Sequence, residues 1–313
     1  MTVLRIYLKR RILLRSALFL LALMTLALSI TACAGNEKAS TASAEPAAAT
    51  GVIRISIDGM FTPKESYSVY SQLLDYIAEK TGHPTVLQQT GSYSEVNDLL
   101  AHGGTDVAIL CSGGYIKAFD KLGLPPLVAP VANGQPLYYS YIVTRSGSGI
   151  RKFEQLRGHP FAFSDPISLT GTLYPESRVV GLGYQPSAFF SHIVVANSHD
   201  NSIKALKEGV VDGVAVDSYI YDYMKANEPA SVSGLDIIEK SPPFGSPPLV
   251  TRPGMPKGLR NQLLSVLTGM DSDPQGKQIL SKLRIERFIP VDKSLYDSVG
   301  GLEANLVKAH VIQ

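Results

Sequence analysis

Two segments of this 313-residue chain follow one pattern, residues 100–112 and residues 206–218. Each runs from a helix-like stretch into a glycine (Gly103, Gly209), then an aspartate three places on (Asp106, Asp212). An apolar strand follows, then a serine (Ser112, Ser218) and a tyrosine (Tyr115, Tyr221). The repeat predicts two lobes of similar topology. The sequence around it alternates strand and helix signals. Residues 52–57 alternate apolar and polar side chains, as a half-buried strand does. Residues 65–80 place Tyr67, Tyr70, Leu74, Ile77 and Ala78 near helical spacing, and Gly82 supplies a stop signal. Strands are expected over 85–89 and 106–110, with a helix over 94–102. After residue 150 the grammar restarts, with a short helix over 153–156. Strands follow at 161–163, 192–196 and 211–216, and helices at 171–181 and 202–208. Strand–helix–strand order favours right-handed crossovers and largely parallel sheets flanked by helices.

The apolar run 137–144 is expected to carry the chain from the first lobe to the second. Residues 241–248 contain four prolines (Pro242, Pro243, Pro247, Pro248) and are expected to bring it back in extended form. Helices over 259–269 and 274–283 complete the first lobe. The expected boundaries are 51–143 with 247–313 for lobe one and 144–246 for lobe two. Two crossovers between two lobes make a hinge, and ligands favour clefts between domains.

Residues 1–33 hold Arg5, Lys9, Arg10, Arg11 and Arg15 and no acid, then an apolar stretch over 16–29. That length suits the apolar region of a signal peptide and is short for a bilayer span of roughly 20 residues. Ile30-Thr31-Ala32-Cys33 resembles the bacterial lipobox, in which the cysteine is acylated and becomes the new N-terminus. An uncleaved anchor with an incidental cysteine is the other reading. Either places residues 51–313 outside the cytoplasm, lipid-anchored to the cell envelope in the first case. Residues 34–50, mostly small side chains, read as a flexible tether. Beyond the leader the balance is 24 basic against 27 acidic residues, with no basic run that would suggest a nucleic-acid partner. The remaining cysteine, Cys111, has no partner for an intrachain disulfide once Cys33 is the lipid acceptor.

The chemistry concentrates at Phe163-Ser164-Asp165-Pro166-Ile167-Ser168-Leu169-Thr170-Gly171-Thr172-Leu173-Tyr174-Pro175. A strand ends at Phe163 and a helix is expected from about Thr170. Ser168 and Thr170 offer hydroxyls, and Gly171 lets a ligand approach the backbone. Free N–H groups at a helix start favour an anion, while an ordinary helix cap wants the same residue types.

The run Asp165-Pro-x-Ser168-x-Thr170-Gly171-x-Leu173-x-Pro175 resembles the signature of the phosphate/phosphonate substrate-binding proteins of ABC importers, usually D-P-x-S-T-S-G-x-L-x-P. Gly103-x-x-Asp106-Val-Ala108, the segment Ala196-Asn-Ser-His199-Asp-Asn-Ser202 and the Ser241-Pro-Pro…Pro248 crossover match further family motifs in the family's order. The resemblance spans about residues 52–290. It implies a two-lobed α/β periplasmic-binding-protein type II fold. Ser168, Leu169, Thr170 and Gly171 would hold a tetrahedral oxyanion, and His199 would donate from the opposite wall. Tyr138 matches a tyrosine set against the ligand, with core packing as its rival. A neighbouring aromatic position holds Leu110 here, so Ser112 or Tyr115 is expected to serve instead. The family's middle signature threonine is Leu169, which removes one hydroxyl. Carboxylates that hold an ammonium group in aminoalkylphosphonate binders are replaced by Tyr219 and Pro247.

The resemblance therefore implies capture of phosphate, phosphite or a short alkylphosphonate for an ABC permease, by a monomer with no cofactor, metal or catalytic residue. A sensory module for a membrane kinase, or a binder of another oxyanion or an organic phosphate, is the alternative. An enzyme built on Ser168, His199 and Asp217 lacks the G-x-S-x-G elbow, and neither H-E-x-x-H nor a G-x-x-x-x-G-K-[ST] loop is present.

Overall fold

A computed structural model describes residues 51–312, so the leader, the tether and Cys33 lie outside the described residues. From residue 51 the chain runs through β1 (Ile53–Ile57), α1 (Pro63–Thr81), β2 (Thr85–Gln88), α2 (Tyr93–Ala101), β3 (Val107–Ile109) and α3 (Ser112–Leu122). Three strands follow, β4 (Ala129–Val131), β5 (Leu137–Tyr138) and β6 (Ser140–Arg145). The next stretch holds β7 (Pro160–Phe163), α4 (Tyr174–Gly181), β8 (His192–Val195), α5 (His199–Lys207), β9 (Gly213–Asp217) and α6 (Ser218–Asn227). The chain returns through β10 (Leu235–Lys240), β11 (Phe244–Gly245) and β12 (Leu249–Thr251). It ends with α7 (Lys257–Thr268), α8 (Pro274–Lys282), β13 (Arg287–Ile289) and α9 (Asp297–Lys308).

The strands form two principal sheets, ordered β12-β3-β1-β2 and β10-β6-β9-β7-β8. The orders correspond: β1, β2 and β3 take the places of β7, β8 and β9, as the sequence repeat predicts. In the first sheet β1 pairs parallel with β2 and β3, and only β12 runs against its neighbour. The second sheet is mixed: β7 is parallel to β8 and β9, β6 runs against β9, and β10, antiparallel to β6, shares the direction of the other three, so four of the five strands point one way. Strands β6 and β10 arrive from and leave for the other half of the molecule. β6 follows β5 with no crossover helix between them, so nothing imposes the parallel direction on it, whereas α6 lies between β9 and β10.

The apolar run 137–144 is two strands, not one. β5 pairs with β11, and β6 joins the second sheet after a break at Tyr139. Its shift of partner reflects the passage between sheets. Each sheet buries its own core: Ile53, Ile55 and Leu73 in the first, and a Phe153–Phe161–Phe189–Phe190 cluster in the second. Rings of Phe161 and Phe190 stack at 4.5 Å. Burying such side chains contributes about 1.5–3 kcal/mol each. Among the described residues no helix is long and apolar enough to cross a membrane.

The repeated aspartates have matching structural roles. Asp106 accepts from Arg54 Nε (2.9 Å) and Arg252 Nε (2.8 Å), tying β1 to the strand end after β12. Asp212 accepts from Arg145 Nη2 (2.6 Å) and lies 2.9 Å from His159 Nδ1, tying β6 to the start of β7. Burial pushes the Asp106 carboxyl up, but bonds from Arg54 and Arg252 outweigh it and hold the group below the usual carboxylate range. Its contribution to stability is therefore present above the unfolded pKa near 3.9 and is lost as pH falls through the lower folded value. Asp106→Asn should cost about 1–2 kcal/mol at pH 7, moderated because both guanidinium groups keep solvent contact. The deficit, read from urea unfolding of wild type and variant, should shrink below about pH 4.

Candidate functional site

The carboxyl ends of the six parallel strands converge, which is where ligands bind in open α/β sheets. Asp58 follows β1, Cys111 follows β3, Ser164 follows β7 and Asp217 ends β9. Tyr93 and His199 are the first residues of α2 and α5, just beyond β2 and β8. All six are buried.

The segment 164–175 supplies one wall. The expected helix from Thr170 is instead a π-type turn, Leu169–Leu173, closed by a bond from Tyr174 N–H to the Leu169 carbonyl. Pro175 has no N–H to offer the Gly171 carbonyl, which accepts from Ser164 N–H (3.3 Å). Ser168 caps the turn, accepting from Gly171 N–H at 3.1 Å. Ser140 Oγ donates to the Thr170 carbonyl (2.6 Å), and Thr172 Oγ1 donates to the Asp165 carbonyl (2.8 Å). These bonds fix the backbone and leave the Thr170 and Ser164 hydroxyls buried without a protein partner. A Cβ on Gly171 would stand 1.8 Å from Ser164 Oγ and 2.9 Å from His199 Cε1. Only glycine lets these three residues meet.

His199 is in the first turn of α5, not in the loop before it. Its backbone N–H donates to the Met60 carbonyl (3.0 Å), and its Nδ1 accepts weakly from Asp217 N–H (3.4 Å). Nε2 is buried and unpartnered, and it carries the ring's proton in the tautomer in which Nδ1 accepts from Asp217 N–H. Burial pushes the His199 pKa down to about 4, the nearby Asp200 carboxylate opposing this only in part. The imidazole is thus neutral at pH 7. Asp217 is the reverse case: burial lifts it to about 7 against the N–H bonds from Tyr219 and Ile220, and its Oδ2 has no partner.

The other wall comes from the first sheet. Cys111 Sγ accepts from Leu169 N–H (3.4 Å) and lies 3.6 Å from Tyr138 Oη and 3.9 Å from Ser168 Oγ. Tyr93 Oη is buried without a partner. Gly113 is required by close approach, since a Cβ there would meet the Ile167 carbonyl at 2.3 Å. The two walls are joined by Tyr93 N–H donating to Asp165 Oδ2 (3.0 Å) and Thr62 N–H donating to Asp200 Oδ1 (3.1 Å). A chamber of about 70 Å³, bounded by Met60, Ile109, Tyr219, Pro247 and Leu249, has Asp217 in its wall.

Of the residues expected at the site, the structure brings together Ser168, Leu169, Thr170, Gly171, His199 and Tyr138. The Leu169 N–H is committed to the Cys111 thiol. Ser112 Oγ donates to the Gly245 carbonyl (2.5 Å), a tie to the returning chain. Tyr115 packs on Tyr296 at 4.6 Å and donates to the Leu124 carbonyl (3.3 Å), apart from the unpartnered groups. Asp58, Tyr93, Cys111 and Ser164 were not anticipated. Their shared signal is position, each one to five residues past the end of a strand.

Two corresponding sheets, a pair of crossings and a buried polar centre at the strand ends define a type II periplasmic-binding-protein fold. Residues 55–296 match the family described as ABC transporter, phosphonate, periplasmic substrate-binding protein, and the chain belongs to it. It is 24% identical over 187 residues to the phosphonates-binding periplasmic protein of Escherichia coli, 56% of this chain and 55% of that relative. The alignment thus spans about half of the curated relative's length. A binding protein component of an ABC phosphonate transporter from Pseudomonas aeruginosa superposes with a TM-score of 0.76 at 21% identity, covering 80% of this chain and 85% of that one. A Prochlorococcus marinus protein solved in complex with methylphosphonate gives 0.74 at 17%, covering 84% and 100%.

The opposed shifts of His199 and Asp217 set a pH dependence. A base held neutral in the fold takes up its proton more readily when unfolded, so His199 withdraws stability as pH falls from about 6.5 to about 4. Asp217, raised to about 7, adds stability as pH falls through the same window. Relative to His199→Gln, the wild-type protein should lose up to about 3 kcal/mol between pH 7 and pH 4. Thermal unfolding of both proteins across that range checks it. A constant difference between the two curves would remove the assignment of a buried neutral imidazole.

Proposed function

We propose that this chain captures a small phosphorus oxyanion outside the cytoplasm and passes it to an ABC importer, held at the membrane through a lipid on Cys33. The observation that carries the reading is the set of donor-capable groups with no protein partner, all buried at one place: the Ser164, Thr170 and Tyr93 hydroxyls and His199 Nε2. Burying a polar group without a partner costs about 1–3 kcal/mol, so four together describe a site built to surround oxygen atoms. Neutral donors can hold an oxyanion without a buried counter-charge, and Leu169 in place of a hydroxyl is offset by Ser164 and Tyr93.

A mainly apolar chamber with Asp217 in its wall has room for a short alkyl substituent, and the Prochlorococcus marinus protein is solved in complex with methylphosphonate. Phosphate and phosphite would fill the donor set and leave the chamber unused. Family membership, with the separation of the two sheets by two extended crossings, supports delivery by hinge closure to a permease rather than catalysis.

Calorimetric titration of residues 51–313 with phosphate, phosphite, methylphosphonate, aminoethylphosphonate and sulfate tests the reading. At least one amine-free phosphorus anion should bind with a dissociation constant in the micromolar range or tighter. No binding by any of them would overturn it. Thr170→Ala and Ser164→Ala should each weaken the preferred ligand by about 1–3 kcal/mol. Gly171→Ala should abolish binding, because its methyl group would occupy the space of Ser164 Oγ.

A further inference from the structure

The chamber beside the donor set is mainly apolar, yet one carboxyl stands in its wall. Asp217 ends β9 and is buried. Its Oδ1 accepts from Tyr219 N–H (2.7 Å) and Ile220 N–H (3.4 Å) at the start of α6. Its Oδ2 is buried and has no partner among the described residues. One oxygen suffices to cap a helix, so the cap does not account for the second. Met60, Phe61 and Tyr70 of the first half and Ile220 and Tyr223 of the second line the same chamber. Burial, and after it the Asp217 charge, pushes the Tyr70 hydroxyl up, so the carboxyl is felt on the facing wall.

The chamber adjoins the oxyanion donors through His199. The His199 backbone N–H donates to the Met60 carbonyl (3.0 Å), and its Nδ1 accepts from Asp217 N–H (3.4 Å). Both partners line the chamber. A short substituent on an oxyanion held at His199 Nε2 therefore has Asp217 within its reach.

Three kinds of substituent tip meet Oδ2 differently. A methyl group covers it with hydrocarbon and leaves a buried oxygen unpaired. An ammonium group brings a full charge and three N–H donors to a chamber in which Asp217 is the one acid among the lining residues. A buried charge is tolerated only when its remaining protons are also paired, and the walls there are mainly hydrocarbon. A hydroxyl brings one donor, accepts in return and carries no charge. Burial raises Asp217 to about 7, so near neutral pH its carboxyl is present both as an acceptor and as an O–H donor, and a hydroxyl suits either form.

We propose that Asp217 is the specificity residue for the ligand's substituent, its Oδ2 bonding the terminal hydroxyl of a short hydroxyalkylphosphonate in the chamber. The proposal rests on the binding function above and names the substituent class of its ligand. Asp217 is at neither position where aminoalkylphosphonate binders carry their carboxylates, which hold Tyr219 and Pro247 here. Selection comes from the unpaired oxygen that the wrong substituent imposes.

The test is titration of the purified protein at pH 7 with two isosteric pairs, hydroxymethylphosphonate against ethylphosphonate and 2-hydroxyethylphosphonate against propylphosphonate. 2-Aminoethylphosphonate is the charged comparison. In at least one pair wild type should favour the hydroxyl by about tenfold or more, and it should bind 2-aminoethylphosphonate more weakly than 2-hydroxyethylphosphonate. Asp217→Ser keeps an acceptor for the start of α6 and removes Oδ2. In that variant the hydroxyl preference should fall to about threefold or less. A wild-type preference under about threefold in both pairs overturns the proposal whether or not the variant folds, and so does tighter binding of the amine. An unchanged preference in a folded variant also overturns it. In each of these cases the capture of phosphorus anions stands. Absence of binding by every phosphorus anion in wild type removes both.

Discussion

The backbone N–H groups at the starts of three helices are satisfied by carboxylates, and two of these reach across from the opposite sheet. Thr62, leading into α1, donates to Asp200, and Tyr93, opening α2, donates to Asp165. Cys111, leading into α3, donates to Asp58 from its own half. A helix start concentrates unsatisfied donors and partial positive charge, and a carboxylate there contributes roughly 0.3–1 kcal/mol, more when half-buried. Because Asp165 lies in the loop after β7 and Asp200 in the first turn of α5, drawing the two halves apart uncaps α1 and α2 together. The arrangement in which the walls meet is therefore the one in which the helix starts are satisfied.

That constraint explains why the site is crowded with acids although its proposed cargo is an anion. Asp165 and Asp200 are spent on backbone donors. Asp217 gives one oxygen to the N–H groups of Tyr219 and Ile220, capping α6. The donors left over are hydroxyls and a neutral imidazole. A cation in this space would have to be neutralised when no ligand is bound, whereas neutral donors tolerate both states. The depressed His199 and raised Asp217 express one cause, burial acting with opposite sign on a base and an acid.

Much of the fold was legible because strand and helix periods differ and because Gly82, Gly103 and Gly209 mark element ends. Gly103 and Gly209 both have positive φ, so the repeat reports the same left-handed turn before β3 and β9. The break at Tyr139 was not legible, since residues 137–144 read as an uninterrupted β-rich run. Change of partner from β11 to β9 is a tertiary event. The π-type turn was also hidden. Pro175 hinted that a bond would be missing, but only the fold shows that Ser164 N–H takes the freed carbonyl.

The site was legible where its residues are contiguous and opaque where they are not. Ser168, Thr170 and Gly171 form one short run, and any reading of helix starts finds them. Asp58, Tyr93 and Ser164 are ordinary residue types in ordinary turns, and what unites them is that each follows a strand of a parallel set. Strand order, not local sequence, decides which strand ends meet. Cys111 shows the limit most clearly. As a lone buried thiol it reads as a small hydrophobe, yet it stands between Asp58 and Leu169 and takes the N–H that a smaller, non-bonding side chain would leave open. With the Leu169 N–H taken up by the Cys111 thiol, the Thr170, Ser164 and Tyr93 hydroxyls are the donors left for the proposed oxyanion.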